Sequence, residues 1–112
     1  MKTTILDLAG LKIACHESSG DGLPVIFIHG NSTSGLAFKY QLDSALGEKY
    51  RLLAIDLPGH GQSQDAVNPD ESYSLKGYAN IIIDLVTQLR LDRFIVVGWS
   101  LGGHIALEAS GS

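Results

Sequence analysis

Phe94-Ile95-Val96-Val97-Gly98-Trp99-Ser100-Leu101-Gly102-Gly103-His104 is the stretch on which the reading of this chain turns. The apolar run 94–97 has the character of a strand, Gly98 to Gly102 is a G-x-S-x-G turn, and a small-residue helix starts near Leu101. A serine hydroxyl is a poor nucleophile unless it is presented to solvent and a base removes its proton. A sharp strand-to-helix turn does the presenting, and glycines at 98 and 102 permit the tight backbone it needs. Ser100 then sits at a helix N-terminus, where unpaired N–H groups and positive partial charge face the reacting centre. The N–H of Leu101 is the natural first donor to an oxyanion.

Two further loops follow apolar runs upstream. Pro24 introduces Val25-Ile26-Phe27-Ile28, a continuous apolar run suited to a strand buried on both faces, followed by the polar loop His29-Gly30-Asn31-Ser32-Thr33-Ser34-Gly35. Tyr50 to Ile55 reads as another buried strand, followed by Asp56-Leu57-Pro58-Gly59-His60-Gly61-Gln62-Ser63 and a polar connection from Asp65 to Ser74. Between these strands the pattern predicts a helix from Leu36 to Leu46, with Leu36, Tyr40, Leu42 and Leu46 as apolar contacts and Gly47 as its stop. Ser74 is placed to cap a longer helix, Leu75 to Arg90, with Leu75, Tyr78, Ile82, Leu85, Val86 and Leu89 on one apolar face. Arg93 to Val97 is the strand before the serine. At the N-terminus, Thr3 to Leu8 and Leu11 to Glu17 read as a hairpin closed by Ala9-Gly10. Strands alternating with helices indicate an α/β fold, its mostly parallel sheet made mixed by the antiparallel hairpin.

Composition narrows the function classes. The chain has 112 residues, is 45% hydrophobic and 18% charged, and carries a net charge of −4 with no basic run, so nucleic acid is not an expected partner. No apolar stretch approaches a membrane span, and Asp7 and Lys12 break any signal-peptide core. The single cysteine, Cys15, forms no internal disulfide and reads as a small core residue; a cytoplasmic location is the expectation. The four histidines are scattered with no paired helical spacing, so no metal and no cofactor are expected.

The three loops in this order resemble the N-terminal half of the α/β-hydrolase fold, and the resemblance covers essentially the whole chain. Its His-Gly-Asn-Ser, Asn68-to-Ser74 and Gly-Trp-Ser-Leu-Gly-Gly-His segments are similar to those of serine-dependent N-acyl-homoserine lactonases and esterase-type hydrolases. The resemblance implies Ser100 as nucleophile, the backbone N–H of Asn31 as second oxyanion donor beside Leu101, and a later histidine and acid as base and orienter. Trp99 is read either as a wall of the acyl pocket or as a core residue, and Gly30 and Ser32 join it as substrate-binding candidates. His29 is expected to bond loop backbone, Asp56 to cap its own loop and His60 to steady that loop. His104 is expected to pack below the serine, and Asp84 and Arg90 to be solvated helix charges.

The expected function is therefore hydrolysis of a small-molecule carboxylic ester or lactone through an acyl-enzyme. The same serine turn also serves carbon–carbon bond hydrolysis or perhydrolysis, and a non-catalytic fragment or assembly partner is the reading from a different class. Residues 1–112 are expected to form a truncated α/β-hydrolase domain lacking the C-terminal strands, cap, triad acid and triad histidine. On that expectation the chain alone is inactive. The strand at 93–97 becomes an apolar sheet edge open to self-association or to a complementing C-terminal chain.

Overall fold

The computed structural model describes residues 1–29, 34–57, 60–63 and 75–98. Among these residues, five strands form one mixed sheet in the order β1-β2-β4-β3-β5. β1 (Lys2–Leu8) and β2 (Leu11–Glu17) are the expected antiparallel hairpin, in register from Lys2 opposite Glu17 to Leu8 opposite Leu11. Ala9 and Gly10 close it with φ of 51° and 81°, the positive values that a two-residue hairpin turn of matching twist demands at both positions. β2 also pairs antiparallel with β4 (Arg51–Ile55), and β3 (Pro24–Ile28) lies parallel between β4 and β5 (Ile95–Gly98).

The continuous apolar runs of β3 and β4 divide between two cores by alternation, as a sheet covered on both faces requires. Ile26, Ile28, Leu53 and Ile55 face the larger core with Leu8, Ile13 and Cys15 of the hairpin. Phe27, Leu52 and Ala54 face a smaller one with Leu42. The larger core is closed by α3 (Leu75–Gln88), whose Tyr78, Ala79, Ile81, Ile82 and Leu85 are buried against the sheet while Val86 and Leu89 flank them. Each fully buried aliphatic side chain contributes roughly 1.5–3 kcal/mol of transfer free energy. The helix ends in a residue of left-handed conformation, Arg90 (φ 55°), with Arg90 N–H donating to the Thr87 carbonyl and Leu91 N–H to the Val86 carbonyl. This is the Schellman arrangement, with a partly buried apolar residue on each side of the closing bond.

The segment between β3 and β4 differs from the expected single helix. It is a 3-10 turn (Gly35–Phe38), then α1 (Lys39–Leu42), then α2 (Ala45–Lys49). Asp43 and Ser44 interrupt it, and the Ser44 hydroxyl bonds the Gln41 carbonyl, an alternative to helical pairing that serine commonly takes. The break changes which residues face inward. Leu42 is buried as expected, but Tyr40 is 88% exposed and Leu46 45% exposed. Gly47 is not a stop: it lies inside α2, where an added Cβ would meet the Leu42 carbonyl oxygen.

Smaller differences concern charge. Asp84 is not simply solvated: its carboxylate accepts from the Ala9 N–H at 2.7 Å, while Gln88 from the same helix donates to the Asp7 carbonyl. These bonds dock the hairpin turn onto α3. Expectations on residues 30–33, 58, 59, 64–74 and 99–112, including the Ser74 cap and the helix after Ser100, lie outside the described residues.

Candidate functional site

The strand order reverses around β3. The chain leaves β3 towards β4 on one side and returns, after α3, to β5 on the other. In an open parallel sheet such a switch point leaves a crevice at the carboxyl ends of the two strands, where ligands bind. The register places Ile28 opposite Gly98, so β3 and β5 end side by side. Asn31 follows Ile28 by three residues and Ser100 follows Gly98 by two. The six candidate site residues, Gly30, Asn31, Ser32, Trp99, Ser100 and Leu101, all lie outside the described residues; what is described is the frame from which their loops depart.

That frame is polar, buried and fully bonded. Asp56 directly follows β4 and has no solvent exposure. Its Oδ1 accepts from the Gly35 N–H at 2.7 Å and lies 3.0 Å from His16 Nε2; its Oδ2 accepts from the Gln62 N–H at 2.9 Å. The bond to Gln62 is the expected capping of the Asp56 loop. The bonds to Gly35 and His16 were not legible in the sequence, because they join segments 21 and 40 residues away. Gly61 adopts φ 51°, and a Cβ there would stand 2.3 Å from Asp56 Oδ2, so the glycine is what lets the loop fold over the carboxylate.

Ser63 closes the same loop. Its hydroxyl donates to the Asp56 carbonyl and accepts from the Ala14 N–H at 2.9 Å. His60 contributes backbone bonds, its N–H to the Leu57 carbonyl and its carbonyl to the Ser63 N–H, in keeping with a loop-steadying part. Its ring lies 4.9 Å from that of His29.

His29 is buried just past β3, and its Nε2 accepts from the Leu57 N–H at 2.9 Å. A neutral imidazole has one acceptor nitrogen, so in this geometry His29 has none left to take a proton from a nucleophile. His16 is likewise engaged at both ring nitrogens, by Asp56 at Nε2 and by the Thr3 hydroxyl at Nδ1, 2.8 Å away. No buried side-chain polar atom among the described residues lacks a partner. Buried among them is one thiol, Cys15, which burial pushes up to about 12, with the nearby Glu17 carboxylate adding to the effect. Such a thiol is a packing group and not a nucleophile. Among the described residues no cluster of three metal-ligating side chains occurs, and no helix is long and apolar enough to cross a membrane.

Comparison with known proteins agrees with this frame. The sequence profile of the alpha/beta hydrolase family matches residues 25–111. The AB hydrolase superfamily protein YisY of Bacillus subtilis is 34% identical over 92 residues, 82% of this chain and 33% of the relative. The pimeloyl-[acyl-carrier protein] methyl ester esterase of Nitrosospira multiformis is 32% identical over 93 residues, 82% of this chain and 34% of the relative. Among solved structures, the N-acyl homoserine lactonase AidH complexed with N-butanoyl homoserine superposes with a TM-score of 0.95 at 46% identity, covering 99% of this chain and 40% of the lactonase. The chain thus spans about a third of the length of these curated relatives. On the matched profile, the sheet order and these identities, the chain belongs to the alpha/beta hydrolase family, and its fold is the N-terminal part of the α/β-hydrolase fold.

Proposed function

We propose that this chain is the nucleophile-bearing portion of a serine hydrolase that cleaves a carboxylic ester or lactone. The observation that carries the reading is the pairing of Ile28 with Gly98 at the switch point, which starts the Asn31 and Ser100 loops from adjacent strand ends. The likeness to a lactonase and to a methyl ester esterase supports an acyl-group substrate.

In this mechanism Ser100 Oγ attacks the carbonyl carbon and loses its proton to a general base. The carbonyl oxygen takes up negative charge, held by the backbone N–H groups of Leu101 and Asn31. The intermediate collapses, the alkoxide leaving group takes the proton, and the acyl-enzyme is cleared by water. His16 and His29 are not the base, since their ring nitrogens are committed to Thr3 and Asp56 and to Leu57. The base and its orienting acid are proposed to lie beyond these 112 residues, within the length by which the relatives exceed the chain. Trp99, Gly30 and Ser32 are the proposed acyl-site residues, and a cytoplasmic location is part of the same reading.

The reading also assigns a partner to β5. Ile95 and Val97 are 48% and 40% exposed, and among the described residues β5 is paired only with β3. A further polypeptide segment of this fold is proposed to pair there, and a lone 112-residue chain is expected to associate instead of remaining a monodisperse monomer.

The test is turnover of a lactone, an aryl ester and a vinylogous diketone by the full-length protein. Lactone or ester cleavage that Ser100→Ala abolishes is the expected outcome. Preference for the diketone would move the reaction to carbon–carbon bonds, and turnover retained in Ser100→Ala would remove the serine from the mechanism.

A further inference from the structure

A buried histidine that the proposed chemistry does not use, His16, lies in a line of hydrogen bonds crossing the sheet. Thr3 of β1 faces His16 of β2 in register, with its hydroxyl 2.8 Å from Nδ1. His16 Nε2 lies 3.0 Å from Asp56 Oδ1 at the end of β4, and the same Oδ1 accepts the Gly35 N–H at 2.7 Å. A neutral ring satisfies the line throughout: the threonine hydroxyl donates to Nδ1 and Nε2–H donates to the carboxylate. His16 is fully buried, and its ring fits against Gly35 so closely that a Cβ at position 35 would stand 2.8 Å from His16 Cδ2.

The line ends on the loop that carries Asn31. That loop is held at both ends to β4 and its continuation: His29 accepts the Leu57 N–H, and Gly35 donates to Asp56. Only five residues, 30 to 34, separate the two anchors, and Asn31 is among them. An oxyanion donor is useful only where its direction is set before the charge develops, and both described anchors rest on β4 and its continuation. A solvent-facing carboxylate could not hold the far anchor as well, because water competes for both of its oxygens; burial against His16 removes that competition.

We infer that Asp56, oriented by His16, is a positioning residue for the Asn31 oxyanion donor, so that the pair sets the rate of acyl transfer without touching substrate. The inference rests on the serine-hydrolase reading above. Its signature is a loss confined to the transition state: kcat falls while KM stays put.

The experiment measures kcat and KM for p-nitrophenyl butyrate, and inhibition by a phenylboronic acid that mimics the tetrahedral intermediate, in the full-length protein. The variants are Asp56→Asn, His16→Leu, His16→Gln, Thr3→Val and Ser100→Ala. Asp56→Asn and His16→Leu are expected to lower kcat by roughly a hundredfold with little change in KM, and to weaken the boronate in parallel. His16→Gln, whose amide reproduces the Nε2–H donor, is expected to recover most of the loss. Wild-type kcat in folded Asp56→Asn or His16→Leu overturns the inference, as does a His16→Gln variant as impaired as His16→Leu. If Asp56→Asn does not fold, Thr3→Val decides, because it removes only the hydroxyl on Nδ1. A fall in kcat of about threefold or more supports the line, and an unchanged kcat overturns it. Ser100→Ala separates the two readings. Abolished turnover beside an undiminished Asp56→Asn defeats the positioning inference alone, and retained turnover defeats the serine mechanism and the inference with it.

Discussion

The backbone N–H of Leu57 donates to Nε2 of His29 across 2.9 Å, tying the residue after β3 to the loop after β4. The bond takes the histidine nearest the start of the Asn31 loop out of the set of candidate bases. It also makes the residue structural in a testable way. His29→Ala leaves the buried Leu57 N–H without its acceptor and is expected to cost about 1–3 kcal/mol in urea unfolding of the full-length protein. His29→Gln offers an acceptor of similar reach and is expected to restore part of that. Equal stability of the alanine variant and the wild type would show that the bond carries no weight.

Gly61 is the position where a single methyl group should do most harm. Its φ of 51° is unfavourable for an L side chain, and the added carbon would press on Asp56 Oδ2. Gly61→Ala is expected to lower stability by about 2 kcal/mol or more, through strain at the backbone and displacement of the carboxylate. A melting temperature unchanged from wild type would contradict this.

Among the described residues, two other than glycine hold left-handed backbone, Ala9 at φ 51° and Arg90 at φ 55°. Arg90 occupies the position after a helix where glycine is most favoured. Arg90→Gly is expected to stabilise the protein by about 0.5–1 kcal/mol, the relief of side-chain strain exceeding the added freedom of the unfolded chain. The side chain is exposed and lies at the end of the helix, away from the ends of β3 and β5, so activity should be unaffected. Destabilisation on chemical denaturation would refute the expectation.

Cys15 supplies a pH-dependent prediction. Its thiol is held neutral to about 12 in the fold, against 9.0 as the ordinary value. The folded state therefore binds the proton more firmly than the unfolded state does between these values. The associated stability is fully present below pH 9 and is lost as pH rises towards 12, by up to about 1.4 kcal/mol per pH unit. Cys15→Ala should flatten that part of the alkaline decline. A thiol reagent at pH 8 should leave Cys15 unmodified until the protein is unfolded, and rapid modification of the native protein would contradict its burial.

Legibility in the sequence followed the range of the interactions. The hairpin, the strands at 24–28 and 51–55 and the helix from Leu75 rest on local turn chemistry and on runs of apolar residues, and all are present. The apolar spacing over 36–46 fits one helix, whereas Ser44 bonds back to Gln41 at the break between α1 and α2, and Tyr40 stands in solvent. Asp56 was legible as a loop cap, since Gln62 is six residues away. His16 was not: in β2 both Ile13 and Cys15 on one face and Ala14 and His16 on the other are buried, so its alternation carries no polar face to read. Its partner lies 40 residues on, and only the sheet order brings the two together.

The central claim is that Ser100 is an activated nucleophile. Intact mass spectrometry of the full-length protein, before and after a fluorophosphonate probe and with Ser100→Ala beside it, tests this most directly. The account predicts one adduct on the wild-type protein and none on the folded Ser100→Ala variant. An adduct that persists in the variant, or no adduct on a folded wild-type protein, would contradict it.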